Sequence, residues 1–198
     1  MLTLHHAPRT RSFRILWLLE EIGAPYELVI HKFSKPDGFP EEYRAIHPHK
    51  KVPALVHDGV VITESSAICC YLADAFPAAE LGPRIGDPKR GPFLTWLAYN
   101  AGVLEPAFMT KLKGWDADPS QVAWGRFEDV VRTLREGLSA GPYVLGEHFS
   151  AADVLIATSV QIAGFLGKLL PQEEPFTGYM ARIEARPAYQ RALAKDAG

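Results

Sequence analysis

Lys51-Val52-Pro53-Ala54-Leu55-Val56-His57-Asp58-Gly59-Val60-Val61-Ile62-Thr63-Glu64-Ser65-Ser66-Ala67-Ile68 is the stretch from which the fold is read. Residues 52–56 and 60–62 are two apolar runs flanking Asp58-Gly59. Asp-Gly between such runs signals an antiparallel hairpin, because Gly tolerates positive φ. Ser65 then opens a helix with Ile68 and Leu72 on its inner face. Pro53 enters the first strand of the hairpin and cannot donate to a ladder there. A cis bond before it would turn the Val52 N–H and C=O outward, where an extended peptide could pair as an added strand. Cis occurs in only about 5–6% of X-Pro bonds, so the proline alone decides little.

Upstream, Leu2 and Leu4 alternate with other residues as in a short strand. Ile15, Leu18, Leu19 and Ile22 recur at helical spacing, and Gly23 and Pro25 end that helix. Tyr26-Glu27-Leu28-Val29-Ile30 reads as a second strand, which makes a right-handed βαβ unit. Residues 41–46 add one or two helical turns, so the first half reads β-α-β-α-β-β-α.

Residues 77–92 hold four prolines and three glycines without apolar periodicity, and read as a linker. Beyond them every element reads as helix: 93–112, 120–139, 150–166, 176–185 and 188–195. Pro106 should kink or divide the first of these. Ser150-Ala151-Ala152-Asp153 has the spacing of a capping box, with Phe149 and Val154 as its staple. The helix it starts is apolar nearly all round and belongs in the middle of a bundle. The expected division is 1–76, a linker at 77–92, and an all-helical domain at 93–198.

The start of the helix that Ser65 opens could hold chemistry. The Ser65 hydroxyl and the free amides of a first helical turn suit a carboxylate. Glu64 beside it offers a negative charge to an ammonium group. Together they describe a site for the two charged groups of an amino acid, close to the Val52 amide. From spacing alone, the alternative is that Glu64-Ser65 only caps a helix.

The whole chain resembles a cytosolic glutathione transferase. The matching stretches are residues 11–21 (Arg-Ser-Phe-Arg-Ile-Leu-Trp-Leu-Leu-Glu-Glu), Lys51 to Leu55, Glu64 to Ile68, the Ser150–Asp153 box and Arg186-Pro187-Ala188-Tyr189, in the expected order. The resemblance implies an α/β thioredoxin-like N-terminal domain followed by an all-α C-terminal helical bundle. It implies that glutathione is the co-substrate, that Pro53 is cis, that Val52 pairs with the cysteinyl backbone, and that Glu64 and Ser65 hold the γ-glutamyl end. Lys51, Lys35 and His49 are candidates for the glycine carboxylate, and Lys50 stands where the family usually has a small residue. The thiol-activating group should lie between the first strand and first helix. Thr10 falls where several classes carry Ser or Cys; Ser12 and Arg11 are alternatives, and His5 or His6 lies near the tyrosine position of other classes. Thr10 or Ser12 could instead simply cap the helix. The implied activity is addition of the thiolate to small hydrophobic electrophiles by a homodimer, with Glu105 as a counterpart of acidic residues that reach the partner's site. A non-catalytic binding protein, or a glutathione-dependent peroxidase, reductase or isomerase, are the alternatives.

Activation alone supplies little rate. Lowering a thiol pKa from about 8.5 to about 6.5 raises the thiolate fraction at pH 7 roughly 25-fold. Falling basicity takes back about 8-fold. The rest must come from positioning the electrophile, for which Trp96, Tyr99, Phe108 and Met109 are candidates, although an aromatic stripe on a helix also suits plain core.

Composition excludes other classes. The formal charge of −2 argues against nucleic-acid binding by phosphate neutralisation. Two adjacent cysteines, Cys69 and Cys70, make neither a disulfide framework nor a C-x-x-C pair, which fits a reducing compartment. The first residues lack a signal-peptide pattern, the longest apolar stretch is too short for a membrane span, and no ligand spacing supports a metal. A cytoplasmic protein without metal, membrane or nucleic-acid partner is expected.

Overall fold

Leu2–His6 forms β1, the inner strand that organises the first half of the chain. The computed structural model describes residues 1–32 and 38–197. Phe13–Ile22 is α1, Tyr26–Ile30 β2, Ala54–His57 β3, Val60–Thr63 β4 and Ser65–Ala75 α2. A 3₁₀ turn covers Glu41–Ala45. The sheet order is β2-β1-β3-β4. β1 runs parallel to β2 with Leu4 opposite Leu28, and antiparallel to β3 with Leu4 opposite Leu55. Four apolar or β-branched residues on β4 complete the hairpin, with His57 opposite Val60. Asp58 and Gly59 have φ of 49° and 84°, the two positive angles that a two-residue hairpin loop requires.

Met1–Ala79 and the segment from Arg186 onward make one packed unit; Glu80–Ala185 makes another. The sequence division assigned everything after residue 93 to the helical domain, so the last helix is placed differently. That helix, α8 at Pro187–Ala197, packs on α1. Its Tyr189 meets Trp17 edge-on at 5.0 Å and Phe13 at 5.6 Å, and all three are buried. Charge reinforces the seam. Arg186 forms two bonds to Glu21, at 2.7 and 2.8 Å, while Arg191 and Lys195 reach Glu20 at 3.0 and 2.6 Å. Burial opposes the Glu20 charge, but bonds from Lys195, Tyr26 and Arg191 hold its carboxyl below the usual range. Sequence periodicity shows the apolar stripe of α8 but not which unit receives it.

In the second unit, α3 spans Arg90–Tyr99, α4 Glu105–Lys113, α5 Phe127–Ser139, α6 Ala151–Ser159 and α7 Phe176–Glu184. Pro106 divides the first of the expected helices as anticipated, with a π turn at Asn100–Leu104 between α3 and α4. The helix expected from residue 120 begins at Phe127, after a turn containing Gly125 at φ 65°. The capping box is formed: Asp153 Oδ2 accepts the Ser150 amide at 2.9 Å and its hydroxyl at 3.0 Å. Oδ1 accepts the Val144 amide at 2.9 Å and the Tyr179 hydroxyl at 3.1 Å. Every residue of α6 is buried, as its all-round apolar pattern requires. No described helix is long and apolar enough to cross a membrane.

Candidate glutathione site

Strand register brings three separate stretches to one end of the sheet. His5 lies opposite Ala54, so Ala7 and Val52 continue the same antiparallel line beyond the ladder. Val52 packs against the cluster of Ala7, Phe39 and Tyr43. Ala54 lies opposite Thr63, which sets Glu64 and Ser65 beside Pro53. The turn before α1, the entry to β3 and the start of α2 therefore border one place.

The Val52–Pro53 bond is cis. Pro53 is buried, Val52 is half-buried, and its main chain makes no hydrogen bond to the described residues. Glu64 has φ 65° and ψ 119°, a conformation that disfavours any residue with a Cβ. Its exposed side chain makes no capping bond to α2. Ser65 is the first residue of α2 and half-buried. Glu64 thus stands at the cap position through its carbonyl, which accepts the Ile68 amide at 2.9 Å, and its side chain takes no part in the cap. His47, buried behind this edge, is pushed below its usual pKa by burial, with the Glu64 charge acting the other way.

The cations differ in availability. Lys51 and His49 are exposed. Lys50 adopts φ 50° and bonds Glu41 at 3.1 Å, which gives it a local partner on the 3₁₀ turn. Lys35 lies outside the described residues. Arg11 is exposed.

The turn before α1 answers part of the thiol question. Thr10 is half-buried. Its hydroxyl donates to the Ala7 carbonyl at 2.7 Å, and its oxygen accepts the Ser12 amide at 3.2 Å. Ser12 is completely buried, and its side chain makes no capping bond to α1. It turns back instead, accepting the Ala7 amide at 3.1 Å and lying 2.8 Å from both Thr10 Oγ1 and His6 Nδ1. The Ser12 hydroxyl is thus enclosed by Ala7, Thr10 and His6, while Thr10 keeps part of its surface. His6 is also fully buried. His5 is 8% exposed and pairs with His31 at 2.8 Å, on the other side of the strand. Asp196, which faces His6 Nε2 at 3.2 Å, carried no signal in the sequence because 190 residues separate the pair.

In the second unit Phe108 is core, packed near Phe127, and the Trp96 ring lies over Gly137, where a Cβ would come within 2.4 Å. Phe108 is thus a core residue, whereas Trp96 is half-buried. Glu105 accepts the Asn100 side-chain amide at 3.1 Å. Among the described residues, no group of three or more His, Cys, Asp or Glu is placed to hold a metal ion.

Residues 1–74 match the family model described as "Glutathione S-transferase, N-terminal domain". The chain is 30% identical to Protein LigF of Sphingobium sp., covering 96% of this chain and 91% of that protein. It is 27% identical to glutathione S-transferase GstA of Escherichia coli O157:H7, covering 98% of each. Maleylacetoacetate isomerase of Rattus norvegicus is 30% identical over 75% of this chain and 71% of its own. Among solved structures, a glutathione S-transferase from Actinobacillus pleuropneumoniae superposes with a TM-score of 0.81 at 29% identity, covering 100% and 94% of the two chains. A sphingomonad glutathione S-transferase complexed with glutathione gives 0.79 at 27% identity and 98% of each chain. The chain belongs to the cytosolic glutathione S-transferase family. Relatives within it act as transferases and as isomerases by name.

Proposed function

We propose that the chain binds glutathione along Val52 and stabilises its thiolate for addition to small hydrophobic electrophiles. One observation carries the reading: the Val52 main chain, unpaired among the described residues, lies at the same sheet end as Glu64, Ser65 and the Thr10 turn. The cysteinyl backbone would pair with Val52 as a short added strand. Glu64 would take the γ-glutamyl ammonium, and Ser65 with the first amides of α2 its carboxylate. Lys51, next to Val52, would take the glycine carboxylate, with Lys35 and His49 as the other candidates. Sulfur would then lie against Thr10, whose hydroxyl can donate to an anion. Assembly as a homodimer, with Glu105 reaching a partner's ammonium site, belongs to the same proposal and is tested by sedimentation.

A second reading, binding without turnover, is favoured by the inward Thr10 hydroxyl, already donated to Ala7 at 2.7 Å. A conjugation assay with a generic aryl halide separates the two. Turnover supports the transferase reading. Tight retention on immobilised glutathione with no turnover across an electrophile panel supports the second. A hydroperoxide and an enone-isomer substrate in the same panel test the peroxidase and isomerase alternatives.

A further inference from the structure

His6 sits at the end of β1 with no exposed surface. Its Nδ1 lies 2.8 Å from Ser12 Oγ, which lies 2.8 Å from Thr10 Oγ1. From α8, the Asp196 carboxylate faces Nε2 at 3.2 Å, without the alignment of a full hydrogen bond. Asp196 is itself held by the Arg9 amide at 3.2 and 3.3 Å. The neighbouring His5 points to the opposite side of the sheet, to His31. Four side chains thus form one line from half-buried Thr10 to a carboxylate.

Counting hydrogens gives the line a direction. A carboxylate only accepts, so Asp196 favours the hydrogen on Nε2. Nδ1 is then an acceptor for the Ser12 hydroxyl at 2.8 Å, the shorter of its two acceptors, the other being the Ala7 carbonyl at 3.1 Å. The Thr10 hydrogen also faces inward, toward Ala7 O at 2.7 Å or Ser12 Oγ at 2.8 Å. Burial outweighs the pull of Asp196 and holds His6 below the ordinary imidazole value, which favours the neutral ring.

An anionic sulfur beside Thr10 would turn its hydroxyl outward. Ser12 Oγ and Thr10 Oγ1 would then be 2.8 Å apart with no hydrogen between them. A hydrogen on His6 Nδ1, donated to Ser12, releases the Ser12 hydrogen to fill that gap. We propose that His6 is a positioning residue that takes up, through Thr10 and Ser12, the proton lost by the glutathione thiol, with Asp196 facing the imidazolium so formed. The S–H bond breaks and sulfur keeps the electron pair. Thr10 Oγ1 receives that proton and passes its own hydrogen to Ser12. Ser12 passes its hydrogen to Nδ1, so one N–H bond replaces one S–H bond. The three donors then all point outward, and the last of them faces the thiolate. The inference rests on the reading that places sulfur against Thr10.

Nitrogen-15 NMR of the histidines in the full chain tests it, at one neutral pH, without ligand, with glutathione and with S-methylglutathione. The His6 ring should be neutral and protonated at Nε2 without ligand and with S-methylglutathione, which has no thiol proton. It should carry hydrogens on both nitrogens with glutathione. A thiolate seen by ultraviolet absorption beside an Nδ1 that stays bare overturns the relay alone. No thiolate at all overturns the reading of the site and the relay with it. Asp196→Asn should raise the apparent pKa of the bound thiol, leaving about tenfold less thiolate at fixed pH; an unchanged value counts against the relay. The NMR comparison on the unsubstituted chain stands if that variant does not fold.

Discussion

Replacing Ser65 by alanine separates a ligand contact from a helix cap. Ser65 opens α2, but the residue that caps this helix, Glu64, makes no side-chain capping bond. Ser65 is the first helical residue and no side-chain cap bond is lost on its replacement, so the folded state should lose little, within about 0.5 kcal/mol. The ligand should lose more. A hydrogen bond to a charged group contributes about 1.5–3 kcal/mol, and the α2 amides would still hold part of the carboxylate. A loss of about 1–2 kcal/mol follows, or roughly 5- to 30-fold in Kd. Calorimetric titration with glutathione and a thermal melt without it give the two numbers. A lowered melting temperature with an unchanged Kd would return Ser65 to the role of a cap and remove it from the site.

Thr10→Ala should raise the apparent pKa of the bound thiol by about one unit, the scale of one charge-assisted bond; ultraviolet thiolate titration reads it, and no shift would exclude Thr10. Glu20 is held ionised by Lys195, Tyr26 and Arg191 against its burial. Its stabilising effect is present above its ordinary value of 4.5 and fades as pH falls through its lower folded value. Melting of the protein and of Glu20→Gln should therefore differ by about 1.5–3 kcal/mol at neutral pH and converge in acid. Asp153 behaves in the opposite sense, because burial raises its carboxyl from 3.8 to about 6 despite four donors. Stability should fall as pH rises between those values, and Asp153→Asn should abolish that slope while costing about 1–3 kcal/mol for the amide donor it sets against Ser150.

The hairpin was legible because Asp58-Gly59 encodes its own turn, and α6 because Ser150 and Asp153 fix its start within four residues. The sheet end that gathers Val52, Glu64 and Ser65 was legible too, through the family pattern rather than through spacing alone. Two things were not. The docking of α8 depends on Tyr189 meeting Trp17 and on Glu20 meeting Lys195, contacts across most of the chain that periodicity cannot show. The fate of Ser12 depends on which way a small side chain turns. A serine before a helix reads as a cap, yet this one faces back to Ala7 and His6.

The central claim is that glutathione lies extended with its cysteinyl backbone paired to Val52. A crystal structure of the complex tests it most directly. Main-chain bonds of about 2.9 Å from Val52 to the cysteinyl residue, with sulfur against Thr10, are the expected result. A tripeptide seated elsewhere, leaving the Val52 amide and carbonyl to solvent, would contradict it.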